Sequence, residues 1–303
     1  MKHGILFLGD SFTWGEGLEL YCNTPKWIAE RTQDNTWSAL MHKQDMDGVS
    51  FREENRFAGL VAKHFNKHSF VSLNNGGTLA SNISTAHRFL FNPNLYIDTI
   101  IIQFSSFSRE ALHLTSNCMC DTCVLGREDG NGDINRPFSG WLMHNVLTKV
   151  LQKESLNDKE TYLLDFYKKI TGLDTDNPEF LNVLNKKRYE WYESVFYIFF
   201  NTIIEWESDG KRKIYFIDTW ERDTSDFIFT TDNSFIHRYR NNFIPLVSKD
   251  NEKYVRYNDW ETHFGKTRII SDFPKTNNDH MSLEQHQYVA KSIIQFLENK
   301  NYE

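Results

Sequence analysis

The chain opens on a short apolar run that ends abruptly in a polar turn. Residues 4–8 read Gly-Ile-Leu-Phe-Leu, and Gly9, Asp10 and Ser11 follow directly. Such a run is typical of a strand that is buried on both faces of a parallel sheet. Open parallel sheets bind ligands outside the carboxyl ends of their strands, and glycine lets a ligand approach the backbone closely. The pattern therefore predicts that Ser11 faces a binding crevice. The alternative is that these residues only cap a helix.

The rest of the chain alternates between strand and helix patterns. Apolar runs at residues 70–73, 99–103 and 213–218 predict three more strands. Apolar residues at helical spacing predict helices near residues 57–65 and 81–91 and a last helix before the C-terminus. Strands separated by helices imply right-handed crossovers. We therefore predict an α/β fold, a three-layer, flavodoxin-like parallel sheet covered by helices on both faces, with a helical insertion.

The insertion is expected between the third and fourth predicted strands. About a hundred residues separate them, too many for a simple crossover. Three helical patterns there predict a loop and helical subdomain spanning residues 107–210. Its last helix, near residues 186–206, is crowded with aromatic side chains, which we interpret as core packing rather than a ligand platform. Residues 222–268 lack a clear periodicity and are expected to form long loops over the crevice.

Charge and hydropathy limit the partners that the chain is expected to bind. The formal charge of −7 comes from 41 acidic and 34 basic residues with no long run of either sign, so nucleic acid and anionic lipid are not expected partners. No apolar stretch approaches the roughly 20 residues of a bilayer span. Residues 1–3 lead straight into the first strand and leave no room for a signal peptide. We therefore expect a cytoplasmic protein, of unknown oligomeric state, that binds neither nucleic acid nor membranes.

A second polar block lies at the opposite end of the chain. Residues 277–286 read Asn-Asn-Asp-His-Met-Ser-Leu-Glu-Gln-His and lead into the last helical pattern. Together with Gly9, Asp10 and Ser11, this block resembles the first and last motifs of the SGNH, or GDSL, hydrolases, in which a catalytic histidine precedes a short turn and the C-terminal helix. Two motifs at the two expected ends are more specific than either alone. The resemblance implies one SGNH-type hydrolase domain over residues 1–303.

The resemblance also implies a serine nucleophile and a histidine base. Ser11 would be the nucleophile and His280 the base that takes and returns its proton, because a serine hydroxyl is weakly nucleophilic near neutral pH. The family has an aspartate three residues before the histidine, but here that position is Asn277, and Asp279 stands directly before His280. Asn277 can orient the imidazole without stabilising its positive charge. Asp279, or Asp272 further upstream, is the alternative orienting group.

Two groups of the family's oxyanion site correspond to residues near the first strand and after the second. One is the backbone N–H of Ser11, and the other belongs to a glycine of a second motif. That motif resembles residues 74–82, in which Gly77 or Leu79 stands at the glycine position, depending on the register. A backbone N–H can serve from either residue, so both assignments stay open.

The third oxyanion group of the family is an asparagine, which this chain lacks at the expected place. Residues 103–106 read Gln-Phe-Ser-Ser where the family has Gly-x-Asn-Asp. Ser105 or Ser106 would replace the asparagine through a hydroxyl group, or Asn82 would replace it from a neighbouring loop. Alternatively, the two serines only end the strand.

The activity that the resemblance implies is hydrolysis of an ester through a covalent acyl-Ser11 intermediate, with no cofactor. The expected partner is a small acyl ester or an acetylated glycan. The departures at Asn277 and Ser105 support an alternative, a catalytically impaired SGNH-fold module that binds a carbohydrate or acyl ligand. A flavodoxin-like phosphate binder is disfavoured, because the first turn lacks a glycine-rich fingerprint.

Three of the four cysteines are close together, at Cys118, Cys120 and Cys123. With Cys22 or His113 they would complete a tetrahedral zinc site that staples a long loop, although the spacing is not that of a standard zinc finger. Reduced thiols in a cytosolic loop are the alternative that we favour. Such a zinc ion would be structural, because the hydrolysis implied by the resemblance needs no metal.

Metal analysis of the purified protein distinguishes a structural zinc site from reduced thiols. We expect less than about half an equivalent of zinc per chain, because cysteines that do not form a four-ligand site do not hold the metal through purification. One equivalent, lost together with thermal stability on chelation, would contradict that expectation and establish the structural site.

Overall fold

The computed structural model describes residues 1–15, 18–21, 46–71, 79–104, 140–218, 235, 238–246 and 281–301. In these ranges one parallel sheet has the strand order β2-β1-β3-β4. Its strands are β1 (Lys2–Leu8), β2 (His68–Val71), β3 (Leu95–Phe104) and β4 (Lys213–Asp218). The helices are α1 (Ser11–Trp14), α2 (Met46–Asn55), α3 (Phe57–His64), α4 (Leu79–Leu90), α5 (Gly140–Gln152), α6 (Asp158–Thr171), α7 (Phe180–Glu207) and α8 (Leu283–Asn301), with 3₁₀ turns at Leu18–Tyr21 and Arg240–Asn242.

The predicted α/β class is confirmed, and all four predicted strands are present. Strand β3 begins at Leu95, four residues earlier than its apolar run, because Leu95, Tyr96 and Ile97 already pair with β1. Helix α2 was not predicted, because its sequence lacks a sustained apolar spacing. Among the helices within the described ranges, none is both long enough and apolar enough to cross a membrane.

One face of the sheet is covered by α4 and the second half of α7. Alternate side chains of the strands point to this face, including Leu6 of β1, Ile102 of β3 and Phe216 of β4. Phe196 and Phe199 of α7 are buried against them, as the core-packing interpretation predicted. That interpretation was wrong for Tyr189 and Tyr197, which are about half exposed because they lie on the outer side of the helix.

The opposite face of the sheet is covered by α3 and α8. Its core contains the intervening strand residues, including Phe7 of β1 and Ile101 of β3. Helix α3 contributes Val61, and α8 contributes Val289 and Ile293. Because burying one such side chain stabilises a fold by about 1.5–3 kcal/mol, the two covered faces hold the three layers together.

The helices between β3 and β4 have a small core of their own. Val146 of α5, Leu163 and Tyr167 of α6, and Phe180 and Leu184 of α7 are buried together. The second half of α7 belongs instead to the core of the sheet. Helix α7 is therefore shared by both cores, because it serves as the crossover that returns the chain to β4.

The ends of α6 follow from its sequence. Asn157 caps the helix by accepting the N–H of Glu160, whose side chain in turn accepts the N–H of Asn157. At the other end Gly172 has a φ of 71°, a left-handed conformation that favours glycine. Lys149 of α5 donates to Glu160 at 2.7 Å and ties the two helices together. The hydrogen bonds from Lys149 and Asn157 lower the pKa of the Glu160 carboxyl.

The segment after β4, predicted as loops over the crevice, packs on the sheet wherever it is described. Phe243 forms a parallel bridge with Phe216, and the N–H of Ile244 donates to the Phe216 carbonyl at 2.8 Å. Tyr239 is buried and donates its hydroxyl to Glu207 at 2.8 Å. Burial, and then this hydrogen bond, raise the pKa of Tyr239, while burial raises the pKa of Glu207.

A charged cluster lies at the amino edge of the sheet, opposite the turn that carries Ser11. Asp98 of β3 accepts hydrogen bonds from Lys67 at 2.8 Å and Thr99 at 2.9 Å, and it lies 2.7 Å from His3 Nε2. Partial burial raises the pKa of Asp98, but the hydrogen bonds from Lys67, His3 and Thr99 together hold it below the ordinary value of 3.8. Asp98 therefore stabilises the fold above about pH 3.8, and this contribution is lost as the pH falls through the folded-state pKa.

We predict that Asp98→Asn lowers the free energy of unfolding by about 1–2 kcal/mol at pH 7, because Lys67 loses a charged partner. Asp174→Asn is the matched control, since Asp174 pairs with Lys168 but is 75% exposed. Denaturant unfolding at several pH values measures both variants. The deficit of Asp98→Asn should shrink as the pH falls below 3.8 and through the lower folded-state pKa of Asp98. Equal losses for the two variants at pH 7 would contradict this account.

Candidate functional site

Strands β1 and β3 are neighbours at the centre of the sheet, where the chain changes direction. From β1 the chain moves outward to β2 and then returns to β3 on the other side of β1. In open parallel sheets, the crevice at the carboxyl ends of two such strands is where ligands bind. Strand β1 ends at Leu8, so the turn that begins at Gly9 borders this crevice.

Asp10 shapes the turn after β1. Its Oδ1 accepts the backbone N–H of Phe12 at 2.9 Å, and its carbonyl accepts the N–H of Trp14 at 2.9 Å. This is the arrangement of an aspartate N-cap, which explains why the chain enters the helical turn α1 directly after the strand. Ser11 is the first residue of α1. Its backbone is described, and its side chain is not.

Gln103 links this turn to β3. Its side chain is fully buried, its Nε2 donates to Asp10 Oδ1 at 2.9 Å, and its Oε1 accepts the N–H of Thr13 at 3.1 Å. The same oxygen accepts the Thr13 hydroxyl and, at 3.4 Å, the N–H of Asp10. Asp10 and Thr13 are also buried. A connected set of buried hydrogen bonds therefore fixes the first turn to the neighbouring strand.

Gly9 is required because the buried side chains of Thr13 and Gln103 lie close to its backbone. A Cβ atom at Gly9 would lie 2.2 Å from Thr13 Oγ1 and 2.6 Å from Gln103 Oε1. Both contacts are shorter than van der Waals packing permits, so a larger residue would displace the buried side chains. The glycine that the sequence analysis assigned to ligand approach thus also has a packing role.

Two arginines that the sequence analysis missed contact Trp14. The guanidinium of Arg52 lies 4.0 Å from the centre of the indole ring, and that of Arg56 lies 5.8 Å from it. Arg56 also donates to the Trp14 carbonyl at 3.4 Å, and both arginines are buried. Cation–π contacts of this kind contribute about 0.5–2 kcal/mol each. Gly15 follows with a φ of 83°, packed against both arginines.

The start of α8 is defined by Ser282. Its hydroxyl accepts the N–H of Gln285 at 3.2 Å, while Gln285 Oε1 accepts the N–H of Ser282 at 2.6 Å. This reciprocal pair is a capping box, here buried. The sequence analysis expected a turn and a helix after His280, and the helix begins at Leu283.

His286, in the first turn of α8, caps another helix. Its Nδ1 accepts the N–H of Phe57 at 3.2 Å, and its ring stacks on the Phe57 ring at 5.7 Å between centres. Arg56, the N-cap of α3, makes no side-chain cap, so the first N–H of α3 is satisfied by His286 instead. His286 therefore packs in the core and joins α8 to α3.

The residues directly after Ser11 and His280 share one core. Phe12 and Met281 are both buried, at 4% and 1% exposure, in the cluster between the sheet and the α3–α8 layer. Their positions in the chain are 269 residues apart (281 minus 12). The turn after β1 and the residue before the α8 cap are therefore anchored in the same apolar layer.

Most of the other predicted site residues lie outside the described ranges. They are Gly77, Ser105, Ser106, Asp272, Asn277, Asp279 and His280, together with Cys22, His113, Cys118, Cys120 and Cys123. Of the oxyanion alternatives, Leu79 begins α4 and Asn82 lies in its first turn, and both are buried. In the described part of the chain, no group of three or more His, Cys, Asp or Glu residues could hold a metal ion.

Comparison with known proteins adds one distant structural similarity. No protein-family model and no curated protein match the chain. The chain is similar, with a TM-score of 0.39 and 13% sequence identity, to a carbohydrate esterase whose active site displays divergent catalytic and non-catalytic binding functions. This similarity covers 98% of the chain and 65% of the esterase, so the chain spans less than two thirds of that protein.

We predict that His286→Ala lowers the free energy of unfolding by about 2–4 kcal/mol, because it leaves a cavity beside Phe57 and a buried N–H without its acceptor. His286→Asn should cost less, since asparagine retains an acceptor. His64→Ala is the matched control, because His64 also joins α3 to α8, at Glu298, but is 43% exposed. Chemical denaturation measures all three. A loss for His286→Ala no larger than that for His64→Ala would exclude the capping role.

Proposed function

We propose that the protein is a serine ester hydrolase of the SGNH type that acts through a covalent acyl-Ser11 intermediate. The observation that carries the proposal is the shared core of Phe12 and Met281, the residues that follow Ser11 and His280. It supports a position of the two motifs on the same side of the sheet, because both are anchored in one apolar core. The position of Ser11 in a capped turn at the switch point of the sheet supports its role as the nucleophile.

In the proposed reaction, His280 accepts the proton of the Ser11 hydroxyl as its oxygen attacks the carbonyl carbon of the ester. The C–O bond to the leaving group then breaks, and His280 gives that proton to the departing alkoxide. Water, deprotonated by His280, attacks the acyl-serine, and the proton returns to Ser11 as the acid leaves. Asn277 or Asp279 would hold the imidazole in the required tautomer. No cofactor enters these steps.

The negative charge on the carbonyl oxygen needs preorganised donors. We propose the backbone N–H of Ser11, the backbone N–H of Gly77 and the hydroxyl of Ser105 for this role. The turn after β1 supports the first assignment, because hydrogen bonds of Asp10 and Gln103 hold it rigidly at the edge of the crevice. The other two follow from the motif resemblance alone.

The proposed substrate class is a small acyl ester, and specifically an O-acetylated carbohydrate. Trp14, three residues after Ser11, has the kind of aromatic ring that suits the apolar faces of sugars. We further propose that residues 1–303 form one domain in which residues 107–210 are an insertion. The separate small core shared by α5, α6 and the start of α7 supports the insertion.

We predict that a fluorophosphonate probe labels the protein at Ser11. Ser11→Ala should abolish labelling and the release of acetate from acetylated glycans, because no other residue replaces the nucleophile. Ser194→Ala is the matched control, since Ser194 is exposed on α7 and should leave labelling unchanged. Mass spectrometry of the labelled peptide identifies the site. A folded wild-type protein that never labels, yet binds acetylated glycans, would instead favour the non-catalytic binding module.

A further inference from the structure

We propose that Gln103 is a positioning residue that sets the direction of the Ser11 backbone N–H by fixing the turn after β1 to β3. The inference rests on the proposed function and deepens it. The family that the chain resembles has glycine where Gln103 stands, and a glycine has no side chain with which to form this network. The role is thus carried by a residue in which this chain departs from the family.

The environment of Gln103 marks it as more than a packing residue. In the buried stretch 100–104 it is the polar exception, preceded by three isoleucines and followed by a phenylalanine. A buried polar side chain costs free energy unless it is hydrogen-bonded, and here all the hydrogen bonds that Gln103 forms go to the turn after β1. The polar groups at this strand end therefore serve the geometry of that turn rather than the pairing of the strands.

The orientation of the Gln103 carboxamide is determined by its partners. Three donors face its oxygen, namely the N–H of Asp10, the N–H of Thr13 and the Thr13 hydroxyl. Its nitrogen faces Asp10 Oδ1, which also accepts the N–H of Phe12. If the amide were rotated by 180°, its NH₂ group would face the three donors that now bind its oxygen. The network thus has one arrangement, which is the condition for preorganisation.

Ser11 lies in the middle of this arrangement. The N–H groups of Asp10 and Thr13 are held by Gln103, and that of Phe12 is held by Asp10. The peptide units on both sides of Ser11 are thereby fixed relative to β3, so the backbone geometry at Ser11 is fixed as well. A misplacement of about 1 Å in such a group can cost about a hundredfold in rate.

The sharpest test is Gln103→Met, which keeps the length of the side chain and removes its polar groups. The N–H groups of Asp10 and Thr13 and the Thr13 hydroxyl then lose their acceptor, so the turn is no longer fixed to β3. We expect the rate of fluorophosphonate labelling and kcat for p-nitrophenyl acetate to fall about 10- to 100-fold, with KM changed less than about threefold. Gln103→Glu should lose less, because one oxygen still accepts these donors and a proton shared by the two buried carboxyl groups restores the bond to Asp10 Oδ1. Gln152→Met, at an exposed position at the end of α5, is the matched control.

Each outcome of this experiment is decisive. All rates are measured on protein shown to be folded by thermal melting at the assay temperature. If Gln103→Met melts earlier but its folded fraction reacts at the wild-type rate, Gln103 is structural and the inference is wrong. If Gln103→Met does not fold, Gln103→Asn provides the comparison, because its side chain is one methylene too short to bridge Asp10 and Thr13, and a wild-type rate in it would overturn the inference. A wild-type protein that never labels means that the proposed function has failed, independently of Gln103.

Discussion

The packing of α3 and α8 together against one face of the sheet is the interaction on which the rest of the structure depends. At its centre Phe57 contacts Phe7 of β1 edge-on, stacks on His286 of α8, and gives its N–H to that histidine. This single residue joins the first strand to the last helix. Because the free energy comes from buried apolar surface and from one buried hydrogen bond, it is insensitive to salt. The two ends of the chain are thereby held together by one apolar core.

The two edges of the sheet use polar groups in different ways. At the amino edge, Asp98 joins three neighbouring elements through partly exposed ionic hydrogen bonds, whose contribution depends on pH. At the carboxyl edge, Asp10 and Gln103 form a buried network that excludes water and fixes one backbone turn. The first arrangement stabilises the pairing of the strands, and the second fixes the position of the turn after β1. This division agrees with the rule that ligands bind at the carboxyl edge of an open parallel sheet.

The fold was predictable from the sequence because its strands are apolar on both faces. The continuous apolar runs of β1, β3 and β4 are typical of a parallel sheet that is covered on both faces. Asp10 is of a residue type that is favoured at helix N-caps. Interactions between distant residues were not predictable. His286 caps α3 across a separation of 229 residues, and the polar sequence of α2 gave no sign that Arg52 packs on Trp14. At the site, the sequence indicated that Gln103 departs from the expected glycine, but only the geometry shows what it binds.

The central claim is that the two ends of the chain meet at the carboxyl edge of the sheet to form one catalytic pair. A crystal structure of the protein reacted with a phosphonate ester tests it most directly, through the distance between Ser11 Oγ and the nearest imidazole nitrogen of His280. The account predicts about 3 Å, within hydrogen-bond reach, with phosphorus bonded to Ser11 Oγ. A separation beyond about 8 Å, with the two side chains on different surfaces, would contradict it.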